Sequence, residues 1–232
     1  MSKIKGYIFD YGGTLDTRGC HWGRKIHEAY ESIGVPISEA LFRDAYVYAE
    51  RTLGRNPIIQ PDYTFEKTLS VKIRIEMEYI AQNVKDFHME AWHDQVVSLL
   101  YADVRKETSK SREVLLQLKQ QYPLVLVSNF YGNISTVLKE MGMDSLFDNI
   151  IESAVVGVRK PDPKIFTLGV EALQMAPEEV TVVGDSYDKD IVPAKQAGCQ
   201  TVWLKGKGWT DEEPDGKAAD RIISQLDELL KP

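Results

Sequence analysis

Cysteine is nearly absent: in 232 residues only Cys20 and Cys199 carry a thiol. Their spacing matches no zinc or redox pattern and excludes a disulfide-built scaffold. Both therefore read as plain thiols, and the fold must rest on a hydrophobic core, which a chain of this length can supply. No apolar run is long enough to span a bilayer. The opening residues MSKIKGYIFD run straight into a strand-like segment, without the apolar stretch and small-residue cleavage site of a secretory leader, so a cytoplasmic protein is expected. Positive charge is also in deficit: 28 Lys and Arg against 35 Asp and Glu leave a formal charge of −7. That balance argues against a general nucleic-acid surface, which needs clustered cations. No repeat or low-complexity tract occurs. Neither nucleic acid nor membrane is an expected partner, and the pattern sets no oligomeric state.

The residues that are present divide the chain in two. A short apolar run, KGYIFD, ends at Asp10 and the turn-prone Gly12-Gly13, as a buried strand would. From residue 21 to 107 the period becomes helical, in segments such as HWGRKIHEAYESIG, SEALFRDAYVYAERTLG, FEKTLSVKIRIEMEYIAQN and MEAWHDQVVSLLYAD. Afterwards helices and strands alternate: SREVLLQLKQQY, PLVLVSN, GNISTVLKEMG, NIIESAV, DPKIFTLGVEAL, VTVVGD, DIVPAKQAG, TVWL and finally RIIS. This order predicts an α/β fold, a mostly parallel sheet with helices on both faces and a helical block inserted after its first strand. The expected division is a core of residues 1–20 and 108–232 with a helical cap of residues 21–107.

In an open parallel sheet the ligand lies beyond the carboxyl ends of the strands, so polar residues that close apolar runs are the candidates for chemistry. Four such ends occur: Asp10 to Thr14, Ser128-Asn129 after PLVLV, Lys160 within VRKPDP, and Gly184 to Asp190 after VTVV. Alone, an Asp before two glycines is an ordinary turn and a Ser-Asn after a strand an ordinary helix cap. Asp185 and Asp190, however, are an oxygen-rich pair suited to a hard cation such as Mg²⁺.

Taken in this order and context, the four segments resemble the haloacid dehalogenase superfamily, phosphatase-like branch, over residues 5 to about 204. The helical block matches that family's helical (C1-type) cap in position rather than in motif. The resemblance implies a Rossmann-like core and a hydrolase in which Asp10 is the nucleophile and forms an aspartyl-phosphate. It implies that Mg²⁺ is held by Asp10, the backbone carbonyl of Gly12, Asp185 and Asp190. Ser128 and Asn129 would clamp the phosphate, Thr14 would fix the loop, and Lys160 would bridge Asp10 and the phosphoryl group. The substrate implied is a small phosphorylated metabolite.

The family's phosphatases usually carry a second aspartate two residues after the nucleophile, which protonates the leaving oxygen. Here that position is Gly12. A phosphonoacetaldehyde-hydrolase-like or dehalogenase-like hydrolase, or a weakly catalytic phosphate-ligand sensor, are therefore alternative readings. The pair Asp185 and Asp190 argues against the dehalogenase. A phosphonoacetaldehyde hydrolase needs a nucleophilic cap lysine, and Lys25, Lys67 and Lys72 read as solvated helix positions. Either the leaving group needs little protonation or another residue supplies the proton; His21 is the preferred substitute acid, with Asp16 and His27 nearby. Arg18, Arg24, Arg51 and Arg55 are candidate contacts for an anionic substrate.

Overall fold

The computed structural model describes residues 3–210, 212 and 214–231. The apolar runs form six parallel strands: β1 (Gly6–Phe9), β2 (Leu124–Ser128), β3 (Asn149–Glu152), β4 (Val180–Gly184), β5 (Gln200–Leu204) and β6 (Arg221–Ile223). Their order across the sheet is β3-β2-β1-β4-β5-β6. The α/β fold read from the sequence is thus the fold of the chain.

β1, β2 and β4 are buried along their whole length, which is why they are continuous apolar runs rather than alternating ones. Side-chain alternation then divides the core. Tyr7 and Phe9 join one cluster, while Ile8, Val125, Val127 and Phe166 join another beneath the opposite face. On that second face lies helix Lys164–Leu173, where Gly169 has no room for a Cβ, which would stand 2.8 Å from Ile8 Cδ1.

The cap is built from α1 (Trp22–Ile33), α2 (Glu39–Arg55), α3 (Phe65–Asn83) and the first half of α4 (His93–Lys119). Side chains at the N-termini satisfy backbone donors that have no partner within the helix: Ser38 accepts from Leu41 N, Thr64 from Lys67 N, and the imidazole of His21 from Gly23 N. α1 ends at Gly34, left-handed at φ 82°, whose N–H returns to the last carbonyls.

Two helices expected on either side of residue 107 are a single one. α4 contains neither Gly nor Pro and buries Val96, Val97, Leu100, Val104, Val114, Leu115 and Leu118 along one stripe, so it runs from cap to core and the 107/108 division falls inside it. One smaller expectation also changes. SAV after β3 lies in a helical turn, Ser153–Val156, rather than in the strand. The final turn, Leu226–Leu230, is held by Glu228, whose carboxylate accepts from Ser224 N and Gln225 N.

The loop after β5 fastens the core to the cap. His21 N donates to Lys207 O (2.8 Å), Arg43 donates to Trp209 O and lies over the Trp209 ring (4.4 Å), and that ring fills the space a side chain at Gly23 would need. Among the described residues no helix is long and apolar enough to cross a membrane.

Candidate active site

β1 and β4 are neighbours, but the chain leaves β1 toward β2 on one side and reaches β4 on the other. The crevice between their carboxyl ends is therefore the switch point of the sheet, where no crossover helix covers the strand ends. Asp10 follows β1 there, and Asp185 follows β4. Carboxylate oxygens of Asp10, Asp185 and Asp190 lie within 4.8 Å of one another.

Lys160 enters this cluster from the loop after β3. Its Nζ donates to Asp10 Oδ1 at 2.5 Å and to Asp190 Oδ1 at 2.7 Å, and it is as buried as they are. The Asn129 side chain holds it there by a reciprocal pair: Lys160 N donates to Asn129 Oδ1 (2.9 Å) and Asn129 Nδ2 to Lys160 O (3.1 Å). Sequence reasoning gave Asn129 only to the phosphate and missed this contact, which depends on where the loop after β3 folds. Thr14 Oγ1 accepts from Asp185 N (3.0 Å) and lies 3.0 Å from Asp185 Oδ1 and 3.3 Å from Asp10 Oδ2. With one proton, that hydroxyl serves one carboxylate at a time. Asp190 Oδ2 accepts from Ser186 N (3.0 Å), in the π-helical turn Tyr187–Ile191 that follows β4.

Ser128, at the end of β2, is buried and its Oγ has no partner among the described residues. A buried hydroxyl without a partner costs about 1–3 kcal/mol, so the site carries an unused donor.

One ammonium faces three carboxylates, Asp10 and Asp190 buried and Asp185 half-buried, and the acid–base balance shows the deficit. Burial raises Asp10 to about 6, against the pull of Lys160 and with a push from Asp190. Burial, then the charges of Asp190 and Asp10, hold Asp185 well above the ordinary carboxylate range. Burial also works against the Lys160 ammonium, but Asp10 and Asp190 outweigh it and raise its pKa. An all-oxygen donor set with uncompensated negative charge is what a divalent hard cation neutralises, so these residues fit one.

Above the cluster opens a cavity of about 760 Å³, bounded by core loops and by α1, α2 and α3. Of the four arginines named from sequence, only Arg55 is among its lining residues. Lys72 lines it and overturns the reading of a solvated helix position: it is buried, paired with Glu50 of α2, and 4.4 Å above the Tyr46 ring. Tyr131 Oη donates to the same Glu50 oxygen at 3.2 Å. Thr68, Lys72 and Glu76, all buried and four residues apart, form a polar stripe on α3; that spacing was the signal available in the sequence.

His21 is not placed as a proton donor. Its Nδ1 accepts Gly23 N–H (3.0 Å), its ring packs on Trp209, and burial, then the cations Lys189 and Lys72, lower its pKa to about 4, so it is neutral near pH 7. Asp16 is fully buried, with Oδ1 accepting Gly13 N–H (2.6 Å) and Oδ2 accepting Trp22 Nε1–H (3.0 Å). Burial raises Asp16 to about 7, against both hydrogen bonds. His27 packs on Phe42 in the cap, away from the residues that line the cavity.

A Rossmann-like sheet, a strand-end aspartate beside a lysine and two further aspartates, and a helical cap over the crevice define a class of capped α/β hydrolases. Residues 4–198 match the haloacid dehalogenase-like hydrolases, and the chain belongs to that family. It is 32% identical to a glyceraldehyde 3-phosphate phosphatase of Pyrococcus furiosus, over 100% of this chain and 93% of that one. It is 29% identical to a phosphoglycolate phosphatase of Vibrio cholerae, over 97% and 94%. A solved structure described as a predicted phosphoglycolate phosphatase from Haemophilus somnus shares the fold, with a TM-score of 0.58 and 21% identity over 100% and 98% of the chains.

Proposed function

We propose that this hydrolase is a Mg²⁺-dependent phosphomonoesterase that transfers the phosphoryl group of a small phosphorylated metabolite to Asp10 and then to water. The observation that carries the proposal is the convergence of Asp10, Asp185 and Asp190 around one lysine, with the unpartnered Ser128 hydroxyl at the end of β2. The phosphatase names of the relatives over nearly the full chain point the same way.

In this reading Asp10, Asp185, Asp190 and the Gly12 carbonyl hold the cation, which when bound neutralises charge shared by the carboxylates and the phosphoryl oxygens. Asp10 attacks phosphorus. Lys160, fixed by Asn129, keeps Asp10 ionised near neutral pH and offers its ammonium to the phosphoryl group. Ser128 donates its free hydroxyl to a phosphoryl oxygen, and Thr14 holds the Asp10 loop against Asp185. The cap limits water around the phosphoenzyme.

Among the described residues neither candidate stands in for the missing aspartate: His21 is neutral near pH 7, and Asp16 does not line the cavity and accepts a hydrogen bond on each oxygen. The leaving group must therefore be one that departs as a weak base. Lys72, the cap lysine nearest the role of an imine-forming amine, is kept protonated because Glu50 outweighs its burial, which disfavours phosphonoacetaldehyde chemistry.

The test is phosphate release from phenyl phosphate with and without Mg²⁺, in the natural protein and in Asp10→Asn. Turnover that requires both Mg²⁺ and Asp10 is expected; metal-independent turnover or an active Asp10→Asn enzyme would refute the proposal.

A further inference from the structure

Trp22 is the first residue of α1, and its ring lines the cavity. It is tied to the nucleophile loop rather than to the cap alone. Its Nε1–H donates to Asp16 Oδ2 (3.0 Å), and Asp16 Oδ1 takes Gly13 N–H (2.6 Å), three residues after Asp10. The indole thereby follows the loop that carries the nucleophile, and its one polar group is already used. A Cβ placed on Gly12 would find Trp22 Nε1 at 3.9 Å and Cδ1 at 4.0 Å, and nothing else within 4 Å. The space that an acid side chain would occupy is thus open and bounded by an aromatic ring.

More aromatic surface continues from it. Phe65 packs on Trp22 with ring centres 5.7 Å apart, and Phe130 packs edge-on against Tyr11 at 5.8 Å; Phe65 and Phe130 both line the cavity. Farther along the wall lie Tyr46 and the Glu50–Lys72 pair, which suit polar ring substituents.

Two independent features therefore select the same chemistry. Without an acid at position 12, departure depends on the basicity of the leaving oxygen: a phenol of pKa about 10 leaves far more readily than an alcohol, which is nearly as basic as hydroxide from water at about 16. The fixed indole beside Gly12 gives such a ring an aromatic neighbour at the cavity wall. We infer that the substrate is an aryl phosphate, the monoester of a phenolic hydroxyl, with its ring against Trp22. This rests on the phosphatase reading above. An Asp10 oxygen bonds to phosphorus as the bond from phosphorus to the phenolic oxygen breaks; the electron pair leaves on that oxygen, which takes a proton from solvent. Water then adds its oxygen to phosphorus, releasing orthophosphate and restoring the Asp10 carboxylate.

Aryl esters are intrinsically more reactive, so the test separates binding from chemistry. Inhibition constants for phenylphosphonate and propylphosphonate, neither hydrolysable, are measured against Mg²⁺-dependent phenyl phosphate turnover in the natural protein, Trp22→Leu and Trp22→Phe. Phenylphosphonate is expected to bind about tenfold more tightly than propylphosphonate, a preference that Trp22→Phe largely keeps and Trp22→Leu reduces to about twofold. Equal affinities in the natural protein, or an unchanged preference in Trp22→Leu, overturn the aryl assignment and leave the phosphatase reading standing. Absence of Mg²⁺-dependent turnover on both phenyl and propyl phosphate overturns both.

Discussion

Replacing Gly12 by Asp restores the one family element this site lacks, and the structure sets what should follow. Gly12 is outside the left-handed region that favours glycine, and the nearest atoms to a new Cβ are those of Trp22 at 3.9 and 4.0 Å, so the side chain enters without displacing its neighbours. Its carboxyl would share the Trp22 N–H now given wholly to Asp16. The burial that raises Asp10 to about 6 and Asp16 to about 7 would act on it as well, leaving a useful protonated fraction near neutral pH. General acid catalysis is worth roughly 10²–10⁴ in rate, or about 3–5 kcal/mol, and an unoptimised donor should reach the lower end. The benefit belongs to the leaving group that needs the proton. In Gly12→Asp, kcat/KM for propyl phosphate should therefore rise about 10²-fold while that for phenyl phosphate changes less than about tenfold. Steady-state phosphate release on both esters measures the ratio. An identical propyl-to-phenyl ratio in the two proteins would refute the argument that a missing acid shapes this site.

Two further consequences concern stability. Mg²⁺ should raise the Tm, since a ligand at 100 times its Kd stabilises by about 2.7 kcal/mol, and Asp185→Asn should remove most of that rise; an equal shift in the variant, followed by calorimetry, would place the ion elsewhere. Glu76, fully buried, is raised from 4.5 to about 7, first by burial, with Lys72 opposing and Glu50 adding to it. Below pH 4.5 it is protonated in folded and unfolded chains alike. Between 4.5 and 7 the unfolded chain ionises first, so stability falls as pH rises, by up to about 3 kcal/mol at the upper end. Glu76→Gln keeps a partner for Tyr30 and should gain stability relative to the natural protein between pH 5 and pH 8 in urea titrations; parallel pH curves would contradict the shift.

The parts of the site that were legible in the sequence are those that close strands. Asp10, Ser128 and Asp185 each end an apolar run, and parallel topology alone brings such ends to one edge. Lys160 and Asp190 follow nearby and were found by the motif's order. Glu50 was not legible, and Lys72 only through its spacing from Thr68 and Glu76, because a charged residue on a helix reads as solvated until the packing of α2 against α3 is known. His21 shows the converse: its type suggested proton transfer, but its state is set by Gly23 N–H and the Trp209 ring, contributed by a loop nearly two hundred positions away in the chain. The merger of two expected helices into α4 has a local cause. RKETSKSRE is polar enough to resemble a linker, yet it has no residue that breaks a helix, and its exposed positions need no apolar side chain.

The central claim, that Asp10 takes the phosphoryl group, is tested most directly by trapping. The protein is mixed with phenyl phosphate and Mg²⁺, quenched in acid, and its peptides are weighed. The peptide containing Asp10 should gain the mass of one phosphoryl group, and lose it to hydroxylamine, as an acyl phosphate does. A phosphoryl group on any other residue, or turnover with no phosphorylated peptide even when quenched within the first cycle, would contradict the account.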